Sequence, residues 1–246
     1  GKERQDILQK WYTASTERKV DLTPEERKWL KQHSSINISG DPSWAPLSYT
    51  DRNGQYAGII PDFFSLIQEK SGLNFIPYPA ENWGAVISSM KEGRIDVVNA
   101  VAETPELREF MNFTDVYMTA DVVIITRNDI DFLKGLGHAG GRSVGVIHGN
   151  ITESYIRRDY PKINLKLFNT ASQGLKALSR KGIDIFVIDI PTFEYYARES
   201  SLTNLKISGL TDYSCSLAIG VRKDMPELVS ILNKTLELIS PKEKST

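Results

Sequence analysis

Two series of alternating strand-like and helix-like segments follow each other along the chain. Short apolar runs predict buried strands at 36–39 and 95–101 in the first series, and at 143–147 and 183–188 in the second. Between them, apolar residues recur at the spacing of one helix face, and a glycine such as Gly72 ends the helix. This alternation predicts an α/β protein with a mostly parallel sheet and helices on both faces.

The chain passes from one series to the other near Arg127, which predicts two α/β lobes with a cleft between them. A strand at 215–221 and a helix that begins at Pro226 follow the second series. Ligands of open α/β sheets bind at the carboxyl ends of the strands. We therefore expect the ligand-binding residues to face the cleft.

The first 35 residues have a different pattern. Residues 2–18 are highly charged, and their apolar and aromatic residues recur at helical spacing, which predicts a short amphipathic helix. A second helix begins after Thr23, because a threonine followed by proline and then by Glu26 is a capping box. We expect Trp11 and Trp29, one on each helix, to be buried against the body of the domain.

Composition narrows the range of functions. The 246 residues carry 30 Lys and Arg against 31 Asp and Glu, so the formal net charge is −1. This balance lacks the basic footprint of nucleic-acid-binding proteins, and we predict no nucleic-acid partner. No apolar run approaches the roughly 18 residues of a membrane-spanning helix. The single cysteine, Cys215, excludes an internal disulfide and a CxxC metal or redox pair.

Several blocks of the sequence, taken in order, resemble one known family. The segment at 36–63, INISGDPSWAPLSYTDRNGQYAGIIPDF, is followed by GRID at 93–96, by TPE at 104–106 with FTDVY at 113–117, and by KGID at 181–184. Their order and spacing resemble the family 3 extracellular solute-binding proteins over about residues 36–240. The resemblance implies a two-lobed Venus flytrap of the periplasmic-binding-protein type (type II), with two crossing segments.

The resemblance also implies domain boundaries. We expect residues 1–35 to be a helical lead-in from a preceding domain. We place lobe 1 at 36–126 and 212–240, and lobe 2 at 127–211.

The sequence before the first strand points to a subgroup of this family. LTPEERKWLKQH at 22–33 resembles the lead-in to the periplasmic sensory domains of Bvg-type hybrid sensor histidine kinases. This implies a periplasmic sensor domain of an inner-membrane receptor, which signals by lobe closure around a small ligand. Its partners would be an amino acid, an amine or a related compound, a neighbouring flytrap domain of the same receptor, and a second copy in a homodimer. The alternative is a soluble amino-acid-binding protein of an ABC transporter.

Four residues match the family's ligand-binding positions. Asp41 and Trp44 match the acidic and aromatic residues of the first pocket loop, and Trp83 matches a second aromatic wall. Asp189 matches the carboxylate that accepts the ligand's ammonium group. Carboxylates bind ammonium groups through charge-assisted hydrogen bonds, and an indole face can add a cation–π interaction.

The positions that would bind a ligand carboxylate depart from the family pattern. Leu107 stands where the family has arginine, and Arg108 follows one residue later, about 100° further around a helix. Ala102 replaces a small polar residue. The helices that begin at Thr104 and Thr152 remain as candidate anion donors. We therefore expect weak binding of neutral α-amino acids and better binding of amines or cations, and a pocket that binds nothing tightly also remains open.

Signals for an enzyme are poor. The three histidines have no metal-binding spacing, and the glycine-rich stretch at 135–141 lacks a phosphate-loop pattern, so we predict no metal and no cofactor. The resemblance places Asp41 and Asp189 across the cleft, where two carboxylates can do acid–base chemistry. Because some members of this fold are periplasmic dehydratases, catalysis stays as a remote alternative, and we predict that the domain itself is not an enzyme.

Overall fold

The computed structural model describes residues 19–240, and these residues form two compact units. The first unit comprises residues 19–40, 59–117 and 218–240, and the second comprises 41–58 and 118–217. Segment 41–58, which we placed in lobe 1 from the sequence, groups with the second unit. The lobe boundaries stay a prediction. The predicted helix at 2–18, with Trp11, lies outside the described residues.

The elements alternate along the chain as the sequence pattern predicts. The strands are β1 Ile36–Ser39, β2 Ser43–Trp44, β3 Ser48–Thr50, β4 Tyr56–Ala57, β5 Phe75–Pro77, β6 Val97–Ala102, β7 Met111–Phe113, β8 Met118–Arg127, β9 Val144–Ile147, β10 Leu165–Phe168, β11 Ile185–Asp189 and β12 Leu205–Arg222. The α-helices are α1 Pro24–Gln32, α2 Ile59–Ser71, α3 Trp83–Lys91, α4 Pro105–Arg108, α5 Ile151–Asp159, α6 Ala171–Ser179, α7 Ile190–Glu199 and α8 Pro226–Leu238. A short 3₁₀ helix spans Leu136–His138.

In the first unit, the strand order is β5–β1–β6, followed by the last residues of β12 and then β7. β1 runs parallel to both β5 and β6, with Ile38 opposite Val97. β7 runs antiparallel to the end of β12. The apolar side chains beneath these strands form the core of the unit, which comprises Val86, Met90, Ile95, Val98, Val101 and Met111.

The lead-in helix α1 is attached to this unit by a capping box and a buried carboxylate. Thr23 Oγ1 accepts from the Glu26 N–H at 3.2 Å, and the Glu26 carboxylate accepts from the Thr23 N–H at 2.7 Å. Glu26 is buried and also accepts from Ser230 Oγ at 2.7 Å and from Lys234 Nζ at 2.8 Å, both on α8. α1 therefore contacts the C-terminal helix through a charged group as well as through apolar packing.

Trp29 supplies the apolar part of that attachment. Its side chain is 8% exposed, and its ring stacks on His33 with centroids 4.0 Å apart. The prediction that Trp29 is buried is confirmed.

In the second unit, β10, β9 and β11 are parallel neighbours. β8 then runs antiparallel to both β11 and β12, so the sheet is mixed where we predicted mostly parallel strands. The segment 41–58 forms a separate antiparallel meander of β2, β3 and β4. The predicted α/β class is confirmed.

Phe186 lies at the centre of the second unit's core. Its side chain is fully buried with Val123, Ile125, Leu175 and Leu178. On α6, Gly174 approaches the Phe186 ring so closely that a β-carbon there would overlap the ring atoms. This close packing fixes β11, which ends at the most buried acidic residue of the unit.

β12 is longer than the sequence indicates. We predicted a strand at 215–221, whereas β12 begins at Leu205. Its first half pairs with β8 through two register irregularities, between Ile207 and Gly209 and between Leu210 and Ser214. Such irregularities disrupt the alternation of apolar and polar residues on which strand prediction depends.

Candidate ligand-binding site

Asp189 is the best-defined acidic group of the second unit. It is the last residue of β11 and the N-cap of α7, and its side chain is 3% exposed. Oδ1 accepts from the Thr192 backbone N–H at 2.9 Å, and Oδ2 accepts from Trp44 Nε1 at 3.1 Å. Two predicted site residues 145 positions apart, Trp44 and Asp189, are thus in direct contact.

Asp41 begins the loop that carries Trp44. Its Oδ1 accepts from the Ser43 N–H at 2.8 Å, and Ser48 Oγ donates to its backbone carbonyl at 2.8 Å. Burial raises the pKa of Asp41, and the Ser43 hydrogen bond only partly opposes this increase. The second unit therefore contains a second carboxylate, which is half-buried and has a raised pKa.

Thr152 lies in the same neighbourhood, beside Cys215. Thr152 is buried at the start of α5, and its side chain hydrogen-bonds the Cys215 thiol. Burial raises the pKa of Cys215 to about 12, and the negative charge of Asp189 adds to the increase. Cys215 is therefore a protonated, packed thiol at neutral pH.

Three tyrosines, which the sequence analysis did not identify, complete this part of the second unit. The Tyr49 and Tyr195 ring centroids are 5.9 Å apart, and those of Tyr195 and Tyr196 are 5.1 Å apart. Burial raises the pKa of Tyr196, and the negative charge of Asp41 contributes. The signal of Tyr195 and Tyr196 in the sequence is a pair of aromatic residues nearly two helical turns beyond an acidic cap.

The first unit holds the other predicted residues in more open positions. Trp83 is half-buried at the start of α3 and packs on the edge of the first unit's core. Ala102 ends β6, and Thr104 caps α4 by accepting from the Leu107 N–H at 3.3 Å. These residues provide an aromatic surface and a short helix start.

Leu107 and Arg108 point to different environments. Leu107 packs against the first unit's core, while the Arg108 side chain is 68% exposed and forms an ion pair with Glu103. The Arg108 carbonyl also accepts from Lys223 Nζ. The arginine that follows the family position by one residue is therefore paired on the surface.

Both helix N-termini that we named as anion donors already face a glutamate. At α5, the Glu153 carboxylate accepts from the Gly149 N–H at 2.8 Å and from Arg157 Nε at 2.8 Å. At α4, the Glu106 side chain hydrogen-bonds Thr104, and hydrogen bonding lowers its pKa. A ligand carboxylate at either position would meet a like charge.

Residues 19–240 lack two features that would have pointed to other functions. No helix there combines the length and the apolar character that a membrane span requires. In the same residues, no group of three or more His, Cys, Asp and Glu side chains is arranged to hold a metal ion.

Comparison with known proteins gives relatives of two kinds. The virulence sensor protein BvgS of Bordetella pertussis is 24% identical over 219 residues, which are 89% of this chain and 18% of BvgS. This chain therefore spans about a fifth of the length of that relative. The arginine-binding extracellular protein ArtP of Bacillus subtilis is 28% identical over 198 residues, which are 79% of this chain and 76% of ArtP.

A solved structure shares the fold over most of the chain. The periplasmic VFT2 domain of Bordetella pertussis BvgS superposes with a TM-score of 0.83 at 23% identity, and the match covers 92% of this chain and 97% of that domain. Residues 36–245 match the profile of a family that is described as bacterial extracellular solute-binding proteins, family 3. Because this profile matches most of the chain and the α/β fold is the one seen in the solved structure, the chain belongs to the bacterial extracellular solute-binding proteins of family 3.

Proposed function

We propose that this chain is the periplasmic sensory domain of a transmembrane sensor histidine kinase. A small ligand would bind to the domain, and lobe closure of the flytrap would shift the receptor between two signalling states. The domain itself performs no chemistry, and the kinase activity belongs to another part of the receptor.

The similarity to the sensor BvgS carries this proposal. It extends over 89% of this chain but only 18% of BvgS, as expected if the chain corresponds to one domain of a multidomain sensor. ArtP, in contrast, matches over 76% of its own length, and its similarity covers a smaller share of this chain.

The lead-in helix α1 supports the same proposal. Glu26 joins α1 to Ser230 and Lys234 on α8, so the first and last helices of the described chain meet in one partly buried hydrogen-bond network. A sensor domain between two neighbours needs such a connection, because a movement at one end must reach the other. A neighbouring flytrap domain, and a second copy in a homodimer, are the partners that we propose.

We further propose that the ligand is an amine or another cationic compound. Asp189 supplies a buried carboxylate and Asp41 a half-buried one, whereas Arg108 is paired with Glu103 and is not positioned as a free anion clamp. Loss of a bidentate arginine removes charge-assisted hydrogen bonds of about 1.5–3 kcal/mol each. The remaining proposed ligand-binding residues are Trp44, Trp83, Ala102, Thr104 and Thr152.

The full-length protein provides the test. We expect it to fractionate with the inner membrane, and we expect an in-frame deletion of residues 36–240 to change the autophosphorylation of membrane vesicles supplied with radiolabelled ATP. Leu167→Ala, at a 40% exposed position, is the matched control and should leave autophosphorylation unchanged. A soluble full-length protein without kinase activity would contradict the proposal.

The transporter-associated binding protein remains a second candidate, because the extracellular protein ArtP is 28% identical over most of its length. Uptake of radiolabelled arginine and of alkylamines separates the two. Deleting the gene should abolish uptake if the chain serves a transporter and should leave uptake unchanged if it serves a sensor.

A further inference from the structure

We propose that Trp44 is an internal competitor for the ligand's ammonium group. Its indole N–H donates a hydrogen bond to Asp189 Oδ2. A ligand that carries an ammonium group binds by displacing the indole N–H from this oxygen. The inference rests on the proposed function in one respect, that Asp189 is the acceptor for a ligand cation.

The geometry around Asp189 leads to this inference. Each carboxylate oxygen already has one donor, from the Thr192 backbone at 2.9 Å and from the Trp44 ring at 3.1 Å. The Thr192 N–H belongs to the first turn of α7 and is fixed by the helix. The Trp44 N–H belongs to a side chain, so Oδ2 is the oxygen whose donor can be exchanged.

The charge of Asp189 favours that exchange. Among residues 19–240, no Lys, Arg or His forms an ion pair with Asp189, whose side chain is 3% exposed. Its partners are two neutral donors, the Trp44 indole N–H and the Thr192 backbone N–H of the first turn of α7. An indole N–H and an ammonium group both form charge-assisted hydrogen bonds to a carboxylate, but only the ammonium group also brings a full positive charge to a buried carboxylate that has no ion-pair partner. An ammonium group is therefore a better donor for Oδ2 than an indole.

The surroundings of Trp44 hold the indole near Asp189 when no ligand is bound. Trp44 pairs with Ser48 in the β2–β3 ladder, and the neighbouring Tyr49 ring contacts Tyr195 on α7. The meander 41–58 is thus attached to α7 at two points, one polar and one aromatic. A ligand that breaks the polar contact leaves the aromatic contact in place, so the indole can return when the ligand leaves.

Removal of the indole N–H alone is the decisive change. Trp44→Phe keeps an aromatic ring and removes the donor, which leaves Oδ2 open to the ligand. The net free energy of one hydrogen bond to a charged group corresponds to an increase in affinity of about ten- to 150-fold. Trp29→Phe is the matched control, because Trp29 is buried in the first unit and stacks on His33.

The experiment uses the whole ¹⁵N-labelled chain and n-butylammonium as the probe. The chain has four tryptophans, and the indole N–H resonance that is missing from Trp44→Phe identifies Trp44. We expect n-butylammonium to shift this resonance and to accelerate its exchange with water, and we expect Trp44→Phe to bind the probe about ten- to 150-fold tighter. In Asp189→Asn, n-butylammonium should neither shift the Trp44 resonance nor accelerate its exchange. Trp29→Phe should behave like the wild-type chain.

Tetramethylammonium separates hydrogen-bond exchange from simple attraction between charges. It carries the same charge but has no N–H donor, so it should leave the Trp44 resonance in place. An equal shift with tetramethylammonium would overturn the proposal, and so would n-butylammonium binding that leaves the resonance unmoved. Absence of n-butylammonium binding to both the wild-type chain and Trp44→Phe would overturn it as well.

The vesicle assay of the full-length protein is independent of these spectra. Failure of the kinase assay with a positive resonance shift would reject the sensor function and keep the role of Trp44. The reverse result would reject the role of Trp44 alone.

Discussion

The two units hold their proposed ligand-binding residues in opposite ways. In the second unit, Asp189 is buried, caps α7 and accepts the Trp44 indole N–H, and Thr152 is buried against Cys215. In the first unit, the Arg108 side chain is 68% exposed and paired with Glu103. The acidic group is fixed by its surroundings, whereas the basic group is held by a surface ion pair.

The difference shows how a shift of one residue changes a site. Leu107 occupies the inward position of the short helix α4 and packs against the first unit's core, so the next residue faces solvent. Surface ion pairs contribute about 0–1 kcal/mol to the free energy of unfolding. Removing a buried carboxylate that accepts two hydrogen bonds costs more, because its donors lose their partner. Substitutions in the two units should therefore have very different effects.

The largest expected effect comes from the core behind the acidic group. Phe186→Ala removes a fully buried ring next to Gly174 and should lower the free energy of unfolding by about 3–5 kcal/mol. Urea denaturation followed by circular dichroism measures this. Leu167→Ala on β10 is the control and should cost less than about 0.5 kcal/mol. Similar losses for both variants would mean that the second unit does not depend on this core.

The direct comparison of the two sites comes next. Asp189→Ala removes the cap of α7 and leaves the Trp44 N–H without its partner, and it should cost about 1–3 kcal/mol. Arg108→Ala should stay within about 0.5 kcal/mol of wild type, because its ion pair is exposed. Thermal or urea unfolding of both variants tests the contrast, and a larger loss for Arg108→Ala would reverse it.

A smaller effect is expected at Glu26, whose carboxylate is as buried as Asp189 but has a cationic partner. Burial raises its pKa, but hydrogen bonds from Lys234, Thr23 and Ser230 outweigh burial, and its pKa lies below 4.5. The charged form therefore stabilises the fold above about pH 4.5, and this stabilisation is lost as the pH falls through the lowered value. Glu26→Gln should cost about 1 kcal/mol at pH 7, and this difference should shrink in acid.

The smallest expected effect is at Asp159, on the surface of the second unit. Hydrogen bonds from Arg158 and from the Tyr213 hydroxyl lower its pKa to about 2. The charged form stabilises the fold above the ordinary pKa near 3.8, and the benefit disappears as the pH falls towards 2. Asp159→Asn should reduce the pH dependence of the unfolding midpoint between pH 4 and 2. Glu26→Gln should also change the stability in acid, so the two variants are measured side by side. An unchanged acid titration would exclude a role for this cluster.

Local signals in the sequence predicted most single elements. The predicted strand at 36–39 coincides with β1, because a short run of apolar residues is a local signal. The predicted helix from Pro226 begins where α8 begins, because a proline at the first helical position is also local. The first half of β12 was missed because its two irregularities interrupt the alternation.

The candidate site was less predictable because its decisive contact is not local. Asp189 and Trp44 were each identified by resemblance, but no spacing along the chain indicates that the indole N–H is bonded to the carboxylate. The departure at Leu107 was visible in the sequence. The partner of Arg108 was not, because Glu103 lies before the N-cap of α4, and no helical spacing indicates that its side chain meets the last residue of the helix.

The discontinuity of the first unit has a consequence during synthesis on the ribosome. The first unit needs α8, whose Leu228, Ile231 and Leu232 are fully buried and which packs on α2. Residues 118–217, which belong to the second unit, are translated between these two helices. At about 5–20 residues per second, these roughly 100 residues take about 5–20 s. The α2 helix therefore emerges from the ribosome with the face that packs on α8 uncovered for several seconds.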